Sequence, residues 1–279
     1  MPESPEVQAL TEELATRLAG RALAGVDVVE FRTLKTRART PETLVGERVT
    51  GAARHGKHVD VAFGAAHLVV SLGRHGWARW GAAGDEADLP DDAPPTLVVL
   101  EFDDGSTLEL TDAGDWVSLG CFVVDDPAEV PAVAKLGPDP AHPDFSRTQF
   151  DAAVAGRRKQ VKAVLQDQES LAGIGNAYSD EILFMARISP VGHASALTAD
   201  EADRLFAATV GTIGDAIEAQ RGVPIAELKA AKVASMRVHG RAGEPCPVCG
   251  DTIRDFSFAS TTAQYCPTDQ THGELLPLK

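Results

Sequence analysis

The chain has 279 residues, is 44% hydrophobic and carries a formal net charge of −15. That is enough apolar material for one large core or two modest ones, and two domains is the better prior. No apolar run reaches the roughly 20 residues a membrane span needs, and no basic start leads into an apolar stretch as in a signal peptide, so a soluble cytoplasmic protein is expected.

In chain order, Ser4 reads as an N-cap and Pro5 as a first-turn residue. Val7, Leu10, Leu14 and Leu18 recur at helical spacing, which predicts a helix over about 5–19 that Gly20 and Gly25 end. From Val26 to Val124 the chain breaks into short strand-like runs, over 26–31, 58–62, 68–72, 97–102, 107–110 and 117–124. Asp104-Gly105 is a hairpin turn between two of them. A β-sandwich or barrel behind an N-terminal helix is therefore expected over 1–125, with a polar loop over 84–95. Residues 126–146, rich in Pro and Asp, read as a linker. Helices are predicted over about 147–154, 157–165, 176–185, 199–220 and 225–232, forming a domain over 147–240. A compact Cys-bearing hairpin over 241–279 completes an α+β chain.

The acidic total argues at first against a nucleic-acid partner, but its distribution reverses that reading. Between Asp85 and Asp144 stand 16 acidic residues and one base, Lys135, so this segment holds the whole net charge. Elsewhere bases cluster in three places: Arg32 to Lys57, Arg157 to Lys162, and Lys229 to Arg241. Such a distribution permits a basic groove with an acidic back.

Four cysteines occur, and Cys246, Cys249 and Cys266 lie close together. Without a secretory signal, that clustering favours a metal over disulfides. Cys121 reads as a buried strand residue. At the other end, Met1 precedes Pro2, and a small second residue permits removal of the initiator. Pro2 would then carry a free secondary amine, with an appreciable neutral fraction at pH 7. Such an amine can attack an electrophilic sugar carbon. Glu3 beside it and Glu6 one helical turn on can divide acid and base roles.

The start Met-Pro-Glu-Ser-Pro-Glu-Val resembles that of the formamidopyrimidine-DNA glycosylase and endonuclease VIII family. Further matches follow in the family's order. Gly56-Lys57 resembles the start of its lysine strand, and Leu68 to Gly76 its next strand and lesion-site loop. Leu136-Gly137-Pro138-Asp139-Pro140 is similar to its interdomain segment. Gly173-Ile174-Gly175-Asn176-Ala177-Tyr178 resembles its helix-two-turn-helix signature, and Gly240 to Cys246 the entry to its zinc finger. The resemblance implies an N-terminal helix with a β-sandwich, a helix-two-turn-helix domain and a zinc-finger hairpin. It also implies damaged double-stranded DNA as partner, a monomer, and a place at the nucleoid.

Carried over residue by residue, the resemblance makes Pro2 the Schiff-base nucleophile that attacks C1′. Glu3 becomes the acid that protonates the sugar or the leaving group, and Glu6 a structural or proton-transfer support. Lys57 becomes a phosphate contact with a proton-donor role in β-elimination. Gly173 and Gly175 allow positive φ in the turn, and the helix beginning near Asn176 offers N–H groups to a phosphate. Lys159 and Arg158 on the preceding helix would hold adjacent phosphates. One structural Zn2+ is implied, on Cys246, Cys249 and Cys266. The family's fourth cysteine is replaced by Asp269, so Asp269 or His272 completes the site.

Other departures bear on activity. Thr261 stands where the family's finger carries an arginine that helps δ-elimination. The family's Asp-Pro-Arg-Arg-Phe-Gly loop becomes Asp112-Ala113-Gly114-Asp115-Trp116-Val117, and its wedge methionine becomes Arg74, beside His75. Trp116 remains able to stack, and Arg74 to stack on or pair with the orphaned base. A bifunctional glycosylase and abasic-site lyase favouring β-elimination is expected. The alternative is a catalytically weak or inactive damaged-DNA-binding protein of the same fold.

Overall fold

A computed structural model describes residues 1–82, 93–258 and 261–276. The expected polar loop over 84–95 falls largely outside them. Two compact units emerge. The first comprises residues 1–2, 6–135 and 222–228, and the second 3–5, 136–221 and 229–279.

The first unit opens with α1 (Ser4–Arg17), most of which belongs to it. Among the described residues eight strands follow: β1 (Leu23–Val28), β2 (Gly51–His55), β3 (His58–Phe63), β4 (Ala66–Ser71), β5 (Gly76–Ala82), β6 (Thr96–Phe102), β7 (Ser106–Asp112) and β8 (Gly120–Val124). They form two antiparallel four-stranded sheets, ordered β1-β6-β7-β5 and β2-β3-β4-β8. Alternation sets the inward faces. Val59, Val61 and Phe63 of β3 are buried in one core with Leu68 and Val70 of β4, Val98, Leu100 and Phe102 of β6, and Leu108 and Leu110 of β7. The helical stripe Val7, Leu10, Leu14 and Leu18 joins the same core. Each such side chain, fully buried, contributes about 1.5–3 kcal/mol.

The strands β2 and β5 escape the sequence reading because Gly51-Ala52-Ala53-Arg54-His55 lacks β-branched residues and β5 is bounded by small ones. The run expected from residue 26 starts earlier, at Leu23, and Phe31–Thr33 is a 3-10 turn capped by Glu30. The run over 117–124 is a strand only from Gly120. The linker is partly ordered: Asp126 and Glu129 form a capping box on the turn Pro127–Glu129, and a short helix, α2 (Pro131–Ala134), follows. Val130 is buried with Val69 and Val124.

The second unit holds α3 (Arg147–Val154), α4 (Val161–Gln166), α5 (Asn176–Ala186) and α6 (Ala199–Gln220). Capping boxes from Ser146 and Thr198 start α3 and α6. Next come α7 (Leu228–Ser235), the hairpin of β9 (Arg254–Phe258) with β10 (Thr261–Tyr265), and α8 (Pro267–Thr271). The core of this unit centres on Phe150, Val161, Leu165, Ile174, Tyr178, Ile182 and Leu205. Phe184, Val238, Ile253 and two cysteines make a smaller one under the hairpin.

Two helices begin later than their sequence implies. Residues 157–160 are not helical, because Arg157 and Lys159 carbonyls accept Ser195 and Ala194 N–H and Gln160 bridges His193. Lys159 and Arg158 therefore precede α4 instead of lying on it. Likewise Ile225 donates its N–H to Glu13 and its carbonyl accepts the Trp77 Nε1–H, which leaves α7 to start at Leu228. No helix among the described residues is long and apolar enough to cross a membrane.

Candidate active site and metal centre

In the first unit, Pro2 is partly exposed and Glu6 is buried at 3%. Lys57 is partly exposed and occupies, with Gly56, the two-residue turn joining β2 to β3 instead of opening a strand. Arg54 fixes that hairpin to α1, donating from Nε to Gln8 at 2.8 Å and from its guanidinium to the Gly56 carbonyl at 2.9 Å.

Two loops of this unit are tied together. Arg74 and His75 are exposed in the turn before β5. Their N–H groups donate to the Ser118 hydroxyl oxygen at 3.0 and 3.4 Å, and that hydroxyl donates to Asp112 at 2.9 Å. Asp112, 2% exposed, also accepts the N–H groups of Gly114, Ser118 and Leu119 at 2.8–3.0 Å. Burial opposes its ionisation, yet these donors prevail and hold its carboxyl below the usual range. The loop so anchored presents Trp116 to solvent at 82% exposure. The sequence reading names Trp116, Arg74 and His75 and includes Asp112 only as part of its loop; it does not anticipate the bracing by Asp112 and Ser118.

In the second unit the helix-two-turn-helix turn departs from expectation. Only Gly173 adopts positive φ, at 88°; Gly175 is extended, at φ −127°. Gly175 is needed for another reason, since a Cβ there would stand 2.6 Å from Glu3 Cδ. The N-terminus of α5 receives the chain's own carboxylate, where the sequence reading placed a phosphate. Glu3, 1% exposed, accepts the N–H of Gly175, of Ala177 at 2.9 Å and of Tyr178 at 3.4 Å. An anion at that position is stabilised by the helix dipole. Lys232 Nζ lies 3.4 Å from the same carboxylate.

Asn176, partly buried, accepts Gln166 Nε2 on its side-chain oxygen at 3.1 Å. Lys159 is exposed and pairs with Asp167 at 3.2 Å. Beneath α5 lies a network that the sequence did not reveal. Lys162, 5% exposed, pairs with the buried Asp180 and donates to Ser179 Oγ at 3.1 Å. Burial pushes its ammonium below the usual lysine range, against the pull of Asp180 and Glu3. The other Asp180 oxygen meets His239 Nδ1 at 2.7 Å, and Glu181 accepts the N–H groups of Arg237, Val238 and His239, each at 2.9 Å. The one sequence cue was an Asp-Glu pair inside a largely apolar helix.

The metal-type cluster is Cys246, Cys249, Cys266 and Asp269, whose ligand atoms all lie within 4.8 Å of one another. Cys246 Sγ is 3.2 Å from an Asp269 oxygen, and Cys249 Sγ 3.3 Å from Cys266 Sγ. Such spacings suit ligands sharing one Zn2+ at about 2.0–2.3 Å, and three thiolates with a carboxylate are a donor set zinc accepts. Asp269 joins this group because it lies in the first turn of α8, which Cys266 caps; His272, exposed at the helix end, is outside it. Thr261 opens β10 opposite Phe258, its side chain beyond the described residues. Cys121 is buried, and burial pushes its thiol up to about 12.

Residues 1–115 match the formamidopyrimidine-DNA glycosylase N-terminal domain, 136–226 its H2TH domain, and 243–271 the zinc finger found in FPG and IleRS. The formamidopyrimidine-DNA glycosylase of Symbiobacterium thermophilum is 32% identical over 97% of this chain and 89% of its own. An uncharacterized formamidopyrimidine-DNA glycosylase-like protein of Mycobacterium tuberculosis is 45% identical over 53% of this chain and 93% of its own. The fold is that of the Lactococcus lactis Fpg complexed with abasic-site DNA, with a TM-score of 0.84 at 24% identity over 96% of this chain and 99% of that one. The chain belongs to the formamidopyrimidine-DNA glycosylase family.

Proposed function

We propose that the protein is a DNA glycosylase and abasic-site lyase of base excision repair, acting on damaged double-stranded DNA. The carrying observation is that Glu3, joined by one peptide bond to Pro2, is held by three backbone N–H groups at the start of α5. A terminal proline fixed by its neighbour is a nucleophile held for attack.

With Met1 removed, the Pro2 nitrogen attacks C1′ of an extruded nucleotide, and the C1′–base bond breaks as the base takes up a proton. Loss of the nitrogen's own proton and opening of the sugar give an iminium. Removal of a C2′ proton then expels the 3′ phosphate, which is β-elimination. Hydrolysis returns the free amine. Glu3 accepts four donors in its pocket, so in this reading it anchors Pro2 and offsets the cationic intermediate. Lys57, in its hairpin turn, contacts a phosphate and supplies a proton. Trp116, on its braced loop, enters the gap left by the extruded nucleotide, with Arg74 and His75 beside it. A Zn2+ on Cys246, Cys249, Cys266 and Asp269 supplies no chemistry to the reaction and holds the finger together.

Borohydride trapping on a panel of damaged and abasic duplexes tests the proposal. A covalent protein–DNA adduct through the terminal proline is the expected result. Tight binding without an adduct on any duplex refutes it and leaves a damaged-DNA-binding protein, the reading favoured by Gly114 and Asp115 in the wedge loop.

A further inference from the structure

A second lysine stands beside the anchor, and its placement deepens the Schiff-base reading, on which it rests. Lys232 lies on α7. Its Nζ is 3.4 Å from Glu3 Oε1 and 4.8 Å from the centroid of the Tyr178 ring. The Lys232 side chain is 12% exposed and that of Glu3 2%. An exposed ion pair contributes little, whereas a pair this enclosed loses its hydration and must be held by geometry. The geometry is provided. Tyr178 is fully buried, and its hydroxyl accepts Gln220 Nε2 at 2.9 Å, so the ring face under the ammonium is a fixed platform.

The two oxygens of Glu3 divide their partners. Oε2 takes the N–H groups of Gly175 and Tyr178, and Oε1 takes that of Ala177 together with Lys232. The ammonium adds a charged contact to the three N–H groups of the helix end and so holds the carboxylate there. We infer that Lys232 is a positioning residue for the nucleophile: it locks the Glu3 carboxylate on the N-terminus of α5, and through the Pro2–Glu3 peptide it sets the direction of the Pro2 nitrogen. It touches neither sugar nor base in this assignment. Its enclosure and its existing partner also make it a poor phosphate ligand, in contrast to the exposed Lys159.

Lys232→Met and Lys232→Arg, made in the full chain, test the assignment. Four measurements are compared with wild type: single-turnover trapping and strand cleavage on an abasic-site duplex, Kd for a duplex bearing a tetrahydrofuran analogue, and Tm. K232M is expected to slow trapping at least about tenfold, since a misplaced nucleophile loses rate steeply. Its Kd stays close to wild type while its Tm falls, because one partner of an enclosed pair is removed, and K232R recovers most of the rate and of the Tm by keeping the charge over the ring. K232M at the wild-type rate overturns the assignment. So does a rate lost only through weaker binding, which would make Lys232 a phosphate contact, and so does an equal loss in both variants with a lowered Tm. If wild type itself traps no DNA, the Schiff-base reading falls and this assignment with it; trapping by wild type and K232M alike sinks the assignment alone.

Discussion

The carboxylate of Glu3 accepts the backbone N–H of Gly175, a residue 172 positions further along the chain. A methyl group at that glycine would stand 2.6 Å from Glu3 Cδ and 2.9 Å from Cγ, in a site with no spare volume. Gly175→Ala should therefore cost about 1–3 kcal/mol in stability through overpacking. It should also cost at least about tenfold in the single-turnover trapping rate, because Glu3 must move and Pro2 with it. Chemical denaturation and trapping on an abasic duplex measure the two effects separately. A stability loss with an unchanged rate would mean that Glu3 does not position the nucleophile.

Asp112 gives a pH-dependent test. Its carboxyl is held below the ordinary range, so its contribution is fully present above the unfolded carboxylate pKa, about 3.9, and is lost as pH falls through the lower folded value. Asp112→Asn should destabilise the protein by about 1–3 kcal/mol at pH 7, since it removes bonds to a charged acceptor. The gap between variant and wild type should narrow in strong acid, as the wild-type carboxyl also becomes neutral. Urea titrations at neutral and acid pH show this. An equal gap at both would assign the effect to packing instead of charge. The same variant should slow excision of a damaged base, because the loop carrying Trp116 loses its brace.

What the sequence disclosed and what it concealed follow from the range of the interactions. The α1 stripe of Val7, Leu10, Leu14 and Leu18, the helix Ala199–Gln220 and the cysteine spacing are local patterns, and periodicity or spacing reads them directly. Glu3 on Gly175, Lys162 with Asp180, and Ser118 bridging Arg74 to Asp112 join distant segments, and no local pattern announces them. The phosphate expected at the start of α5 shows the limit well. The chemistry of that helix end was read correctly as anion-binding, but the anion turned out to be a side chain from the far end of the chain. The late start of α4 has the same origin, since residues 157–160 satisfy their backbone groups on 192–195.

The finger allows a test by metal content. Zinc retained per chain after dialysis against a chelator, measured by atomic absorption, should fall for Asp269→Ala and rise above wild type for Asp269→Cys, because thiolate holds zinc more firmly than carboxylate in a closed site. His272→Ala should retain as much as wild type, its ring lying outside the ligand group. The reverse order, with His272→Ala depleted and Asp269→Ala intact, would replace the fourth ligand.

Thr261 sets the expected end products. It opens β10 at the position where the resemblance places an arginine that assists the second elimination. Without a guanidinium to stabilise the departing 5′ phosphate, the reaction should stop after β-elimination and leave chiefly a 3′ unsaturated aldehyde on abasic DNA. Thr261→Arg should restore a cation at the hairpin and raise the share of 3′-phosphate ends, with little change in the first cleavage step. Denaturing gels of end-labelled duplex separate the two products. If wild type already yields mostly 3′ phosphate, another residue assists δ-elimination and Thr261 is not the reason for the expected stop. If neither protein yields it, the block lies before the finger, and the acidic Asp115 beside Trp116 becomes the next residue to exchange.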